Sequence, residues 1–480
     1  MRLPGILFLF SFAPVAAALT PDPERERVAR AMDAEAERYG ALSRQIWEYA
    51  ELGYKEQKSA GLLRDQLRAA GFRITENVGG IPTAFVAEWG KGKPVAGIMG
   101  EFDALPGLSQ EAVPERKPRV EGGAGHGCGH NLFGVAAVHA AIAVKRRLEA
   151  KGLPGTIRFF GTPAEEGGSG KVYMIRAGAF EGADVVLTWH PGNRNSVNDA
   201  SMLAIISGRF RFRGMAAHAS SAPEAGRSAL DAVLLMNHAT EMLREHVPRE
   251  ARIHYIILSG GAAPNVVPDF AEAYYYARHP RMAVLDTIWE RILKCANGAA
   301  LATETRMESE IESSSYEFLP NDTLIELLRR NLMFVGGVKY SAEEQAFAER
   351  LVSTLEPERR TPLGTQEKVF LDEGRLTSGA SSDVGDVSWI LPTAQFTAAT
   401  WAPGTPAHSW QSTACSGMSI GRKGMMVAAK TLALSALDVF YDPKQVELAG
   451  ESFRRRKSGH EYRSRIPAGK ALPLNYRDRQ

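Results

Sequence analysis

The hydrophobic period of this chain changes near Met202 and changes back after Ser313, and no other feature restricts its fold as much. Before Met202 the pattern predicts a long amphipathic helix over Pro23 to Tyr54 and a second over Ser59 to Ala70, closed by Gly71. Short strands are expected over Thr83 to Trp89, Val95 to Gly100, Thr156 to Gly161 and Asp184 to Trp189, with an Ala-rich helix over Gly134 to Ala150. Strands alternating with helices predict an α/β layer structure with a largely parallel sheet. From Met202 the order becomes β-α-β-β-α-β: strands over Met202 to Arg213, Arg252 to Ser259, Phe270 to Ala277 and Thr303 to Ser313, with helices over Gly226 to His246 and Met282 to Ala299. That is the size of one small domain. Helices from Asn321 and Ala342, strands over Trp389 to Leu391 and Ala394 to Ala399, and a helix over Ser419 to Phe440 then resume the first pattern. The expected organisation is an α/β catalytic-type domain, residues 19–201 and 316–450, interrupted by a lid, residues 202–315.

Charge excludes little by its sum and more by its position. The chain holds 57 Lys+Arg and 55 Asp+Glu, which gives no electrostatic case for nucleic acid. The last thirty residues alone carry a charge of +6, with the run Arg454-Arg455-Arg456-Lys457 near their start, so residues 451–480 are expected as a surface-wrapping or mobile basic tail. Three cysteines, Cys128, Cys295 and Cys415, are too few for a disulfide framework. At the other end, Arg2, an apolar run over Ile6 to Phe12 and the small residues Ala16-Ala17-Ala18 read as a secretory signal cleaved after Ala18. No later stretch reads as a membrane span, so the expectation is an exported protein, periplasmic or secreted, not embedded in a membrane.

Four short segments carry residues suited to chemistry. Gly125-His126-Gly127-Cys128-Gly129-His130-Asn131 places a thiol and two imidazoles among glycines just before a helix. A helix N-terminus favours the thiolate, and Cys128 and His130 can face one cation, though such a pair taken alone is more often a plain loop. Gly161-Thr162-Pro163-Ala164-Glu165-Glu166-Gly167-Gly168 sets two adjacent carboxylates at a strand end, suited to one metal-binding and one proton-handling role, or to solvated charge. His190 ends an apolar strand, where sites collect in α/β sheets, and His408 lies in a Gly/Pro turn late in the chain. Together they offer a thiolate, imidazoles and carboxylates enough for two divalent metals. An alternative makes Cys128 a nucleophile with His130 as its base.

Tyr49-Ala50-Glu51-Leu52-Gly53-Tyr54-Lys55-Glu56, Gly100-Glu101-Phe102-Asp103-Ala104-Leu105-Pro106-Gly107, Gly127-Cys128-Gly129-His130-Asn131, Pro163-Ala164-Glu165-Glu166 and the late histidine occur in this order. In that series the chain resembles the M20 family of metallopeptidases, in its Cys-containing amidohydrolase branch. Trp189-His190-Pro191, Gly214-Met215-Ala216-Ala217-His218-Ala219 and Ser381-Ser382-Asp383-Val384-Gly385-Asp386 look closer still to its aminobenzoyl-glutamate-cleaving members. The resemblance implies two Mn²⁺ or Zn²⁺ ions bridged by Cys128, with His130 and His190 completing one site and Glu166 and His408 the other. It implies that Glu165 takes a proton from the attacking water and returns it to the leaving amine. His218 matches an oxyanion-assisting histidine contributed by a neighbouring subunit, and Asn265 and Arg278 match lid positions that hold the substrate. The implied reaction is hydrolysis of an N-acyl amino acid by a homodimer, or a heterodimer with a related subunit. A dipeptidase or aminoacylase, and a silent partner subunit on the same fold, are the alternatives.

Overall fold

The structure is a computed structural model, and it describes residues 22–198, 200–372 and 379–478. The expected signal over residues 1–18 lies outside them. Twelve strands among the described residues form two sheets. In chain order they are β1 (Arg73–Glu76), β2 (Phe85–Lys91), β3 (Val95–Gly100), β4 (Gly155–Gly161), β5 (Val185–Gly192), β6 (Asn195–Asn198), β7 (Ala204–Arg213), β8 (Arg252–Ser259), β9 (Phe270–His279), β10 (Arg306–Ser315), β11 (Val369–Asp372) and β12 (Thr393–Ala399).

The larger sheet has the order β1-β2-β4-β3-β5-β12-β6-β11. Its centre, β4-β3-β5-β12, is parallel, and β1, β2 and β6 introduce antiparallel pairs towards the edges. Central strands buried on both faces must be apolar throughout. β3 is Val-Ala-Gly-Ile-Met-Gly, buried at every position. Helices His130–Lys151 and Ser419–Tyr441 pack together against one face. The other face is covered by helix Gly170–Arg176, helix Val384–Ser388 and, unusually for a chain end, by Ile466, Leu472 and Leu474.

The smaller sheet, β10-β7-β9-β8, is antiparallel throughout. Every second residue of β9 is buried, against helices Ala229–Leu243 and Met282–Ala302. Its other face carries a charge lattice in which Arg209 and Arg211 pair with Glu272, Glu310 and Glu312. The fold class is thus the α/β architecture with a mixed, mostly parallel sheet and an added antiparallel β-α-β-β-α-β unit.

Several details depart from the sequence pattern. The first long helix is two, Pro23–Asp33 and Ala36–Tyr49, broken where the Glu35 carboxylate turns to Arg146 and Arg38. Trp389 to Leu391 is not a strand: Trp389 follows helix Val384–Ser388, and its indole donates to the Glu317 carbonyl at 2.9 Å. The helix Ser419–Tyr441 has the length and hydropathy (1.3) of a membrane span, contrary to expectation, but 83% of that window is buried in the protein. Its apolarity belongs to the core. The basic run ends helix Lys444–Lys457, where cations suit the helix dipole, and Arg455 and Arg456 pair with Asp322.

His139, on helix His130–Lys151, stacks on Tyr39 with centroids 3.8 Å apart and is 1% exposed. Glu35 stands 3.6 Å away, yet burial outweighs that attraction and pushes the imidazole down to about 4. The unfolded chain therefore binds this proton more readily, and stability is full above the ordinary histidine range and falls as pH drops towards 4. Over that window the loss attributable to His139 is on the order of 3 kcal/mol. Urea unfolding of His139→Phe, which keeps the ring stack, should show a visibly smaller difference in midpoint between pH 7 and pH 4.5 than the wild type.

Candidate active site at the carboxyl edge of the parallel strands

The four central strands deliver their following residues to one edge. β3 leads into Glu101 and Asp103, β4 into Glu165 and Glu166, β5 carries His190 near its end, and β12 leads towards His408. Helix His130–Lys151 begins at the same edge. Its cap, Gly129, is left-handed (φ 77°), and a Cβ there would lie 2.7 Å from Cβ of Pro191. Glycine lets the loop press onto the end of β5, which brings Cys128 beside His190. In α/β sheets the carboxyl ends of parallel strands are where sites form.

Cys128 stands between two groups of donors. With His130 and His190, and separately with Glu166 and His408, its potential ligand atoms lie within 4.8 Å of one another. Cys128 Sγ is 3.4 Å from His190 Nε2, and His408 Nε2 is 3.3 Å from Glu166 Oε1. Partners fix the tautomers. His130 Nδ1 is 2.8 Å from Asp103 Oδ1, and His190 Nδ1 is 2.7 Å from the Pro191 carbonyl, both groups that accept. A proton on each Nδ1 leaves Nε2 facing the cluster, free to ligate a cation when the ring is neutral. Burial opposes a second proton, but the Cys128 thiolate, with Asp103 at His130, outweighs it and raises both rings above the ordinary histidine range. His130 Nε2 and Glu166 Oε1 are buried without a well-formed hydrogen bond among the described residues; the nearest polar atoms, Glu101 Oε2 at 3.1 Å and His408 Nε2 at 3.3 Å, are potential ligand atoms themselves. Those orphaned acceptors fit a cation. Burial alone would raise the Cys128 thiol, but His190 and His130 reverse this and hold it well below its ordinary range.

Glu165 is held well above the carboxylate range, first by burial and then by Glu101 and Glu166. Behind it lies an ionic network in which the fully buried Lys171 ammonium is 2.7 Å from both Glu101 Oε1 and Asp383 Oδ1. Asp383 also accepts from the Lys171 amide at 3.0 Å. Glu56, pushed up to about 8 by burial and by Asp103, accepts from the Ala164 amide at 2.8 Å and so holds the carboxylate loop from below.

The predicted ligands Cys128, His130, Glu166, His190 and His408 come together with Glu165 beside them. The lid residues are elsewhere. His218 and Asn265 lie exposed on adjacent lid loops, linked by the Ala219 amide donating to the Asn265 carbonyl at 3.0 Å. Neither is among the residues around Cys128. Arg278 reaches across to the larger domain, its Nη1 3.1 Å from Ser381 Oγ. Asp103, Glu101, Lys171, Asp383 and Glu56 have no role assigned from sequence, although Glu101, Asp103, Glu56 and Asp383 stand inside the quoted motifs. Cys295 and Cys415 are free thiols.

Residues 97–353 match the family described as Peptidase family M20/M25/M40. The chain belongs to this family. As an M20 protein it is a metallo-amidohydrolase, a hydrolase of linear amide or peptide bonds. It is 43% identical over 462 residues to one of the p-aminobenzoyl-glutamate hydrolase subunits of Escherichia coli (strain K12), covering 91% of this chain and 96% of that one. It is 32% identical over 451 residues to the Xaa-Arg dipeptidase of Mus musculus, covering 90% and 92%. A solved dinuclear metal binding peptidase of the M20 family from Bacillus subtilis shares the fold, with a TM-score of 0.58 at 18% identity over 85% of this chain and 99% of that one.

Removing one member of a buried charge network leaves the others uncompensated, at a cost of about 3–5 kcal/mol. Lys171→Met should lower stability by that order, whereas Lys171→Met combined with Asp383→Asn should recover part of it; chemical denaturation of the three proteins measures both.

Proposed function

We propose that this M20 protein hydrolyses an aroyl- or acyl-glutamate-like amide with two divalent metals at the Cys128 cluster and Glu165 as general base. The observation that carries the reading is one buried thiol shared by two donor groups. Two ions held by Cys128, His130 and His190 on one side, and by Cys128, Glu166 and His408 on the other, would supply Lewis acidity and a water of lowered pKa. Thiolate and imidazole suit Zn²⁺, and the mixed set with carboxylate also suits Mn²⁺. Glu165, half-buried and within reach of the donor set, takes the proton of the attacking water and hands it to the leaving amine. Asp103 keeps the His130 ring turned, and Glu56 and Lys171 keep the Glu165 loop in place. Arg278 and Asn265 hold the carboxylate end of the substrate, a guanidinium fork being suited to it.

The second reading, a dipeptidase, is favoured by the 32% identity to the Xaa-Arg dipeptidase. Both readings use the same site and differ in what the lid admits. A paired subunit, a second copy or a related chain, is part of the proposal. The lid exposes Ile256, Ile257 and Leu258 on its edge strand β8, and Leu234, Leu235 and Met242 on helix Ala229–Leu243. An unpaired apolar edge of this kind calls for a covering partner. The Escherichia coli relative is by name one subunit of its hydrolase, which supports a related chain in that role. Residues 1–18 further support export.

Purified protein given p-aminobenzoyl-glutamate should release glutamate, lose that activity on chelation and regain it with Mn²⁺ or Zn²⁺. Glu165→Gln should keep its metal and lose turnover by about 10²- to 10⁴-fold. Glu166→Ala and His408→Ala should lose metal as well, seen by elemental analysis. Turnover of Glu165→Gln near the wild-type rate would end the general-base assignment, and chelation without effect would end the metal reading. N-terminal sequencing of the protein recovered from outside the cytoplasm should begin at Leu19.

A further inference from the structure

We propose that residues 458–478 are a strap that sets the Glu165–Glu166 loop and ties it to the lid, with Tyr476 and Arg477 as its positioning residues. The path is continuous. After helix Lys444–Lys457 the chain turns at left-handed Ser458, and Tyr462 donates to Asp386 Oδ1 at 2.8 Å. Arg465 pairs with Asp286 on lid helix Met282–Ala302, Nε to Oδ1 at 2.6 Å. Lys470 donates to Glu310 Oε1 at 2.8 Å and to the Ile311 carbonyl at 2.6 Å, both on lid strand β10. Leu472 and Leu474 then join the apolar layer under the larger sheet.

The strap ends on the catalytic loop. The Glu166 carbonyl accepts from the Tyr476 hydroxyl at 3.0 Å and from Arg477 Nη2. On its other side the same loop is held by Glu56 on the Ala164 amide and by the Tyr54 hydroxyl on the Gly168 carbonyl at 2.6 Å. Tyr54 and Tyr476 meet edge to face. The loop needs this grip. Ala164 has φ 57° and Gly167 φ 98°, and a non-glycine residue in the left-handed region is kept there by its surroundings. Gly53 is the counterpart in sequence: a Cβ there would lie 2.4 Å from the Tyr476 hydroxyl and 2.9 Å from Ala164 Cα. Lys55 completes the seat, donating to Asn475 and pairing with Asp478. The segment Glu51 to Glu56 and the chain end therefore clasp the loop that carries Glu165 and Glu166.

The effect on catalysis rests on the reading in Proposed function; the effect on the loop does not. Hydrogen exchange of the full chain, followed by mass spectrometry, separates them. In Tyr476→Phe/Arg477→Met, which removes two donors and keeps the packing, amides of residues 164–170 should exchange about tenfold faster, with helix His130–Lys151 unchanged. Gly53→Ala, whose Cβ crowds both Tyr476 and Ala164, should also loosen the loop, and Arg477→Lys alone should largely retain protection. In an active enzyme kcat should fall while KM changes little. Unchanged loop exchange in both variants overturns the strap, and so does a loosened loop with unchanged kcat. A loosened loop in a protein whose wild type does not hydrolyse p-aminobenzoyl-glutamate upholds the strap and sinks the substrate reading of Proposed function.

Discussion

One buried carboxylate joins the two halves of the cluster. Asp103 gives Oδ1 to His130 Nδ1 and Oδ2 to the Glu166 amide, at 2.8 Å and 2.9 Å. It thereby fixes a ring from one donor group and a backbone from the other. Burial works against its charge, but His130, the Glu166 amide and Lys171 outweigh burial and keep it ionised. Around it stand Glu56, Glu101, Glu165, Glu166 and Asp383, and Lys171 is the only lysine or arginine paired with them inside the protein among the described residues. Burial first, then the Cys128 thiolate at Glu166 and Glu101 at Asp383, push Glu166 up to about 7 and Asp383 to about 6. Such an excess of buried anion is a poor source of stability and a good seat for cations.

The fold explains why these groups converge although they lie far apart in sequence. Parallel strands all end on one edge, so residues following β3, β4, β5 and β12 meet without any local signal. The lid is inserted between β6 and β11, and His408 arrives only after the chain has returned. Its return is anchored: the His408 amide and the Ser412 hydroxyl both donate to the Gly127 carbonyl, at 3.0 Å and 2.7 Å. The loop bearing Cys128 is therefore shaped by residues from beyond the insertion, and the cluster closes only when both segments of the larger domain are in place.

Much of this is legible in sequence because it is locally encoded. β3 and β8 fall where alternation and apolar runs put them, and the ligand motifs announce themselves by glycines at turns. The short strands β1, β6 and β11 are not legible, since four residues at or beside a sheet edge are decided by their partner strands. Lys171 is hidden for a different reason. A lysine in the first turn of a helix reads as solvated, and only Glu101 and Asp383, seventy and more than two hundred residues away, show it to be buried. The chain end reads as basic surface because its charges are visible in sequence and its burial is not: Arg465 and Lys470 meet acids of the lid, and Ile466 is buried in the core.

Histidine tautomers separate roles that the motifs leave with equal standing. His130 and His190 each set Nδ1 against an acceptor and turn Nε2 to the Cys128 cluster, where it can ligate a cation. His218 has the opposite arrangement. Its Nδ1 accepts from the Ser220 and Ser221 amides, each at 3.3 Å, so the neutral ring carries its proton on Nε2. Under the proposed reading, that N–H is the group that would meet an oxyanion. The lid apolar edge and His218 are both exposed in the single chain, so under the proposed paired-subunit reading that ring would be open to a neighbouring chain, whereas the Cys128 cluster is assembled within one.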